Sequence, residues 1–562
     1  MSKKKIIYLL LSLFLISSIV GFIVYFYKNE KKVLKYLEEK TGYTEDDPKS
    51  NKINTNVHYN NSRLQSLYVK KDGTIYFSVN DKINGKDYND YKRYLYVEDY
   101  DEYLYYCSSN DKLLSILKRN RLYQTSDIYY ANFIYKYLYG HELDKFLKKI
   151  NFRQKYCRFP ISNYLLNKKS LYSYYSKMMK KYPDEYNFMV ETYILPEQIN
   201  DFERVFNDNN DKNERNLWII KQNNLSRGQK IKIVNNLNDI IEKVEFLEEV
   251  IKDNKKDEID NKNNKDNKKS NKKNKKNVLE KNNVEPKKEY IKKVKKISKN
   301  GDVVVSKYIE PCTINNKKFD LKIMCLVTSY DPLMIYLYDD GLVRFATEDY
   351  SEDKNKLTNN YIHLTNASVN EKNSKFVKNN DFDNLKESTS SLSSFKKYCE
   401  ENKIDYNNII NKIKDIVIKA ILSNYDSAVK DLKKYNLPSC KNLFEIFGVE
   451  VILDKNYNPY LIGFNSKPGL YSNSEVGKKL YNNVMCDFLN IIGIRKYNRK
   501  SMKKNKRICS LEENLKECTK ELQRYRGHFE LIFPLKENID KYSKFIENKT
   551  QLNTELWKSL DN

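Results

Sequence analysis

Lys318-Phe319-Asp320-Leu321-Lys322 runs without a break into Ile323-Met324-Cys325-Leu326-Val327. Successive side chains of a strand point to opposite faces, so Lys318, Asp320 and Lys322 share one face: two cations with an acid between them. Apolar runs lie on either side: Val303-Val304-Val305 upstream and Leu333-Met334-Ile335-Tyr336-Leu337-Tyr338 downstream, the latter leading into Gly341-Leu342-Val343-Arg344-Phe345-Ala346-Thr347. Both read as strands. Further out, the pattern predicts a helix over about 405–435 and a last helix over about 475–490. Between them Phe447–Leu453 and Tyr460–Phe464 read as strands, separated by Asp454-Lys455-Asn456-Tyr457-Asn458-Pro459, a turn by composition. That hairpin sets Glu450 and Asn465 on adjacent strands. Strands mixed with helices predict an α/β fold.

An apolar strand, Leu217-Trp218-Ile219-Ile220-Lys221, delivers another lysine just ahead of the polar loop Ser226-Arg227-Gly228. A fixed ammonium with loop N–H groups free to face oxygens is a plausible phosphate cradle. Basic groups at Lys221, Lys318, Lys322 and Arg344 can hold a triphosphate, while oxygen ligands such as Glu450 and Asn465 suit Mg²⁺. A solvated strand face explains any one of these residues alone. Their joint appearance in this order is what points to a nucleotide site.

The ordered blocks W-I-I-K, S-R-G, K-Y-I-E-P, K-F-D-L-K, L-V-T-S-Y-D-P-L, G-L-V-R-F-A-T, H-L-T-N and F-E-I-F-G-V-E…P-Y-L-I-G-F-N resemble the tubulin–tyrosine ligase-like proteins over roughly residues 150–495. The resemblance implies a two-lobed ATP-grasp fold using ATP and Mg²⁺. It also implies ligation of an amino acid to tubulin through an acylphosphate that an amine attacks. Carried over by position, it implies phosphate binding at Lys221, a phosphate-covering loop at Ser226, Arg227 and Gly228, and adenine contacts at Lys307 and Tyr308. It further implies catalytic roles for Lys318, Asp320, Lys322 and Arg344, acceptor contacts at Arg344, His363, Thr365 and Asn366, and metal ligation at Glu450 and Asn465.

The departures bear on activity. Where the family's strand reads L-L-E-V-N, this chain has Leu461-Ile462-Gly463-Phe464-Asn465, so Gly463 replaces a magnesium-binding carboxylate. Glu450 stands for an aspartate, and Lys322 for an arginine, keeping the charge but losing the bidentate fork. Lys230 replaces the loop's second glycine, and Gln222 a proline. The expectation is weak or lost ligase activity. The alternative is an inactive relative acting as a membrane-anchored microtubule-binding module. Arg526-Gly527-His528-Phe529-Glu530-Leu531-Ile532-Phe533-Pro534 looks more like the glutamate-adding branch than the tyrosine-adding one.

The 562 residues carry 102 Lys+Arg against 75 Asp+Glu, a net charge of +27, which favours acidic partners. Much of that surplus is local. Lys252–Asn277 holds one apolar residue, Ile259, among 11 Lys and 8 Asn, and reads as a disordered insert within 252–300. The stretch Arg495–Arg507 has eight cations and no acid: Arg495, Lys496, Arg499, Lys500, Lys503, Lys504, Lys506 and Arg507. This patch reads as a solvated linker or, more sharply, as a dock for acidic tubulin tails. No nucleic-acid recognition motif accompanies it. Nine cysteines, none spaced C-x-x-C, fit a reducing compartment. Four dispersed histidines match no zinc spacing.

Lys3-Lys4-Lys5 precedes an uncharged run over residues 6–27. As a helix it spans roughly 33 Å against about 30 Å of bilayer hydrocarbon, so a single signal-anchor is expected, with a cytosolic body associated with microtubules. The expected organisation is an anchor over 1–32, an α/β region over 33–140, the ATP-grasp domain over 141–495, and a basic, helical extension over 496–562.

Overall fold

The computed structural model describes residues 77, 82–83, 86–87, 104–107, 111–120, 122–223, 225, 228–244, 246–250, 294–298, 301–378, 385, 388–466, 475–495 and 507–561. The expected anchor over 1–32, most of the α/β region before residue 104, and the low-complexity stretch Lys252–Asn277 lie outside these. Among the described residues no helix is long and apolar enough to cross a membrane.

Six strands carry the candidate site: β1 (Trp218–Gln222), β2 (Val303–Lys307), β3 (Lys317–Tyr330), β4 (Leu333–Phe345), β5 (Leu443–Leu453) and β6 (Pro459–Ser466). β2 and β1 are the middle of a four-stranded antiparallel sheet, edged by Thr192–Leu195 and Lys232–Val234. β3 to β6 belong to an eleven-stranded sheet in which β4, β3 and β5 are antiparallel neighbours and β6 pairs with β5. Beyond β5 the sheet continues in parallel through Lys155–Cys157, Phe133–Tyr135 and Leu104–Cys107. Strands of the 33–140 region thus extend the same sheet across the expected boundary at 140.

β3 shows how sequence alternation places the site. Ile323, Cys325 and Val327 enter one hydrophobic core, with Ile409, Ile413 and Ile416 of the helix Tyr406–Leu422. Met324 and Leu326 enter the other, with Leu480, Val484 and Leu489 of the helix Glu475–Ile492. The run is apolar throughout because both faces are covered, each such side chain contributing about 1.5–3 kcal/mol by burial. Lys318, Asp320 and Lys322 lie on the Met324 face by the same alternation. The long strand thereby anchors a charged end on a rigid, doubly packed rod.

The small sheet has its own core, where Trp218, Ile220, Val303 and Val305 meet Phe202 and Phe206 of the helix Ile199–Asp211. The Phe202 and Trp218 rings meet edge to face at 5.0 Å. Two cores under two sheets give the two-lobed arrangement.

The region past 507 is not an appendage to this fold. Phe529–Phe533 pairs antiparallel with β4. The helix Leu511–Leu522 opens with a capping box between Ser510 and Glu513 and buries Glu521, which pairs with buried Lys441 at 3.0 Å. Glu521 also accepts hydrogen bonds from Thr328 and Tyr336. A buried ion pair persists only with such added hydrogen bonds.

Glu445 is buried on β5 with Ser162 and the Phe159 N–H as hydrogen-bond donors, and burial pushes its carboxyl up to about 7. In the unfolded chain the same group loses its proton near about 4.3. Between those values the native state holds the extra proton, so stability falls as pH rises through the window, by about 3 kcal/mol in total. Glu445→Gln is expected to remove that decline, checked by urea unfolding at pH values below and above the window.

Candidate active site

β3 and β4 pair with Asp320 opposite Arg344, and β3 and β5 pair with Lys322 opposite Glu450. Arg344 lies at the centre of this register. Its Nε and Nη2 donate to the two Asp320 carboxylate oxygens at 2.7 Å each, and its Nη1 meets Glu450 Oε1 at 2.7 Å. The Thr365 hydroxyl donates to Asp320 Oδ2 at 2.6 Å. Burial pushes the Glu450 carboxyl up, but Arg344 and Lys322 outweigh it and hold the group below the usual carboxylate range. One planar guanidinium therefore links three strands, a use to which a lysine is poorly suited.

Lysines surround this core in excess. Burial and the Lys221 charge lower Lys318 to about 7. Burial and Arg344 lower Lys322 to about 8. Burial and Lys168 lower Lys221 to about 8. Lys168 itself is lowered by burial, and its Nζ donates to the Leu225 carbonyl at 2.7 Å, under the loop that follows β1. With Arg344 there are five cations against the two carboxylates Asp320 and Glu450. Like charges brought this close cost free energy that a polyanion would recover.

At the lobe connection, Lys318 Nζ donates to the Tyr308 hydroxyl at 2.8 Å, and that hydroxyl lies 3.0 Å from His363 Nδ1. Burial and the Lys318 charge lower His363 to about 4, so the ring is neutral near pH 7. Which of the two donates in the Tyr308–His363 bond follows from the ring tautomer. Arg215 fixes this connection from the small lobe, donating to the Tyr308 carbonyl and pairing with Glu352 at 2.5 Å.

Gly228 closes the loop against the large lobe. Its φ is +73°, and a Cβ there would lie 2.7 Å from Val369 Cγ2 and 3.1 Å from Asn366 Oδ1. Asn370 secures that contact surface, since its amide donates to the Leu364 carbonyl at 2.7 Å and its Oδ1 accepts from the Thr347 N–H at 2.9 Å.

The residues expected from sequence thus fall into three groups. Asp320, Lys322, Arg344, Thr365 and Glu450 converge around the guanidinium. Lys318, Tyr308 and His363 form the chain at the lobe connection, so His363 supports Tyr308. Lys307, whose N–H donates to the Glu191 carbonyl at 2.8 Å, ends β2 immediately before Tyr308. Lys221 and Gly228 frame the loop over Asn366, and Ser226 and Arg227 lie outside the described residues. Lys168, Arg215, Glu352 and Asn370 were not singled out from sequence. They sit in helix starts and loops that carry no strand periodicity, so no pattern marked them.

The β5–β6 hairpin fits magnesium poorly. Glu450 is committed to Arg344 and also bonded to the Asn465 side chain. Gly463, opposite Glu450 in the register, contributes no oxygen from a side chain. Among the described residues no group of three or more His, Cys, Asp or Glu side chains could hold a metal ion.

Of the proposed docking cations only Arg495 and Arg507 are described. Arg495 pairs with Glu517 at 2.8 Å and its carbonyl accepts from the Asn132 amide, so it braces the helix Leu511–Leu522. Arg507 pairs with Glu513 and stacks 5.3 Å from the Phe152 ring centre. Lys496, Arg499, Lys500, Lys503, Lys504 and Lys506 lie outside the described residues.

Mixed α/β architecture, with two sheets and a glycine-closed loop between them, fits an ATP-grasp-like domain. Residues 146–504 match the Tubulin-tyrosine ligase family, and the chain belongs to that family. It is 37% identical over 206 residues to mouse (Mus musculus) tubulin monoglutamylase TTLL4, covering 36% of this chain and 17% of that protein. It is 31% identical over 287 residues to mouse tubulin polyglutamylase TTLL6, covering 46% and 34%. Mouse tubulin polyglutamylase TTLL5 aligns over 358 residues at 27% identity, covering 63% and 22%. The matched stretches therefore span about a third or less of these relatives' own lengths.

Gly228→Ala forces a side chain into a left-handed position and against Val369. The loop is expected to lift from Asn366. ATP affinity, read by isothermal titration, should fall by about tenfold, equivalent to about 1.4 kcal/mol. The urea midpoint of the large lobe should stay nearly unchanged.

Proposed function

We propose that this chain is an ATP-dependent ligase that adds glutamate to tubulin, working with a weakened metal site. The observation that carries the reading is the surplus of cations, with Lys318, Lys322 and Arg344 buried and Lys168 and Lys221 half-buried beside them. The named activities of the relatives supply the choice of glutamate and tubulin.

In this chemistry the acceptor carboxylate attacks the γ-phosphorus of ATP, ADP leaves, and an acylphosphate forms. The amine of the incoming glutamate then attacks the acyl carbon and phosphate departs. Every stage moves negative charge past the same cations, so their main contribution is charge neutralisation and positioning. Arg344 is held in one orientation by Asp320, and that rigidity suits it to align a phosphoryl or carboxylate group. Lys221 and Lys168 lie beneath the loop, where phosphate oxygens would sit. Glu450, the hairpin carboxylate beside these cations, is already paired, so a magnesium ion would depend mainly on the nucleotide's own oxygens.

The paired Glu450 also favours a second reading, a family member that binds nucleotide and tubulin without turnover. Incubation with ATP, tubulin and labelled glutamate separates the two. Slow, ATP-dependent label in tubulin supports the ligase, and microtubule co-pelleting without label supports the binding module. Gly463→Glu should raise incorporation, because a Cβ at that position meets no atom within 4 Å. The φ of +158° there strains any residue with a Cβ, so the substitution is also expected to lower the urea midpoint.

The lysines make nucleotide binding a protonation event. Lys318, Lys221 and Lys322 lie at about 7, about 8 and about 8. Phosphate beside them raises those values, so above pH 7 binding takes up protons and affinity falls as pH rises. Calorimetry at pH 8 in buffers of different ionisation enthalpy is expected to show net proton uptake, and Lys318→Met should reduce it.

A further inference from the structure

Cys440 and Cys518 are far apart in sequence but their Sγ atoms lie 3.8 Å apart. Cys440 sits in the turn Ser439-Cys440-Lys441 just before β5, and Cys518 is buried on the helix Leu511–Leu522. Asn514, one helical turn before Cys518, accepts from the Cys440 N–H at 3.0 Å and from the Ser439 hydroxyl at 3.3 Å. The backbone of each thiol is therefore fixed relative to the other. Closing to a disulfide needs the sulfurs to move from 3.8 Å to about 2.05 Å, within the reach of side-chain rotation.

The two thiols share one hydrogen bond. That bond and the neighbouring Lys441 charge hold the Cys518 thiol below its ordinary value, against burial, while the same bond and burial raise the Cys440 thiol well above its own. Cys440 is half-buried and so remains reachable from solvent.

We propose that Cys440 and Cys518 form a reversible disulfide, a redox modification site that staples the C-terminal helix to the root of β5. The oxidant is a low-molecular-mass disulfide, RSSR. Cys440 passes its proton to the Cys518 thiolate beside it as its own sulfur attacks one sulfur of RSSR, the S–S bond breaks, and RS⁻ leaves and takes that proton from Cys518. The Cys518 thiolate then attacks Cys440 Sγ, expelling the second RS⁻, which is likewise protonated. The two protein thiols are oxidised by two electrons, and RSSR is reduced to two RSH. β5 carries Glu445 and Glu450, and the helix carries Glu517, the partner of Arg495. The staple thus fixes the point where the chain returns after its basic stretch onto the strand that ends in the candidate site.

The full chain is equilibrated in glutathione redox buffers, alkylated and digested. The expected product at oxidising ratios is a Cys440–Cys518 linked peptide, with a total mass loss of two hydrogens and a higher thermal midpoint. Dithiothreitol should reverse all three. Cys518→Ala should stop at one glutathione on Cys440, and Cys440→Ser should take up neither. Cys509→Ser, altering the thiol nearest along the chain, should leave the linked peptide intact. A link from Cys440 to Cys509, alkylation of both thiols at every ratio, or a glutathione adduct on wild type that never resolves would each overturn the proposal.

Discussion

A single guanidinium determines how this site is assembled. Arg344 commits three of its five N–H donors to Asp320 and Glu450, and so fixes β4 against β3 and β5. The lysines on either side are placed relative to that centre by strand alternation and register. If Arg344 were removed, two carboxylates would remain in a nearly dry environment, and the attraction that orders Lys322 would change with them. The same commitment has a chemical consequence. Glu450 sits where a metal ligand is expected and is occupied by a protein cation.

Much of this was legible in the sequence because strand periodicity is a strong signal. The alternation Lys318, Asp320, Lys322 correctly placed three charges on one face, and the turn 454–459 correctly joined two strands. The helices expected over 405–435 and 475–490 are Tyr406–Leu422, Tyr425–Lys433 and Glu475–Ile492. What stayed hidden depends on tertiary register. Nothing in the segment around Arg344 says that its guanidinium meets Glu450, more than a hundred residues later. Lys168 and Arg215 escaped notice for the same reason, since each acts through a carbonyl or carboxylate brought near only by folding.

The C-terminal region shows what composition leaves out. Residues 496–562 read as a basic, helical extension, and beside the helices Leu511–Leu522 and Gln551–Asp561 its strand Phe529–Phe533 pairs with β4 and Glu521 neutralises Lys441. Arg495, counted among docking cations, is engaged with Glu517. A run of like charges describes a segment's average, and the individual ends of such a run belong to whatever they pack against. The cysteines carry a related lesson: their spacing excluded a sequential motif, while folding brought two of them into contact.

The central claim is that the protein's own cations, and not a protein-held metal, dominate nucleotide binding at this site. Its most direct test is the ATP dissociation constant of the full chain measured with excess Mg²⁺ and again with a chelator. The account predicts values within about tenfold of each other, a difference below about 1.4 kcal/mol. Tight binding with Mg²⁺ and no measurable binding in the chelator would contradict it.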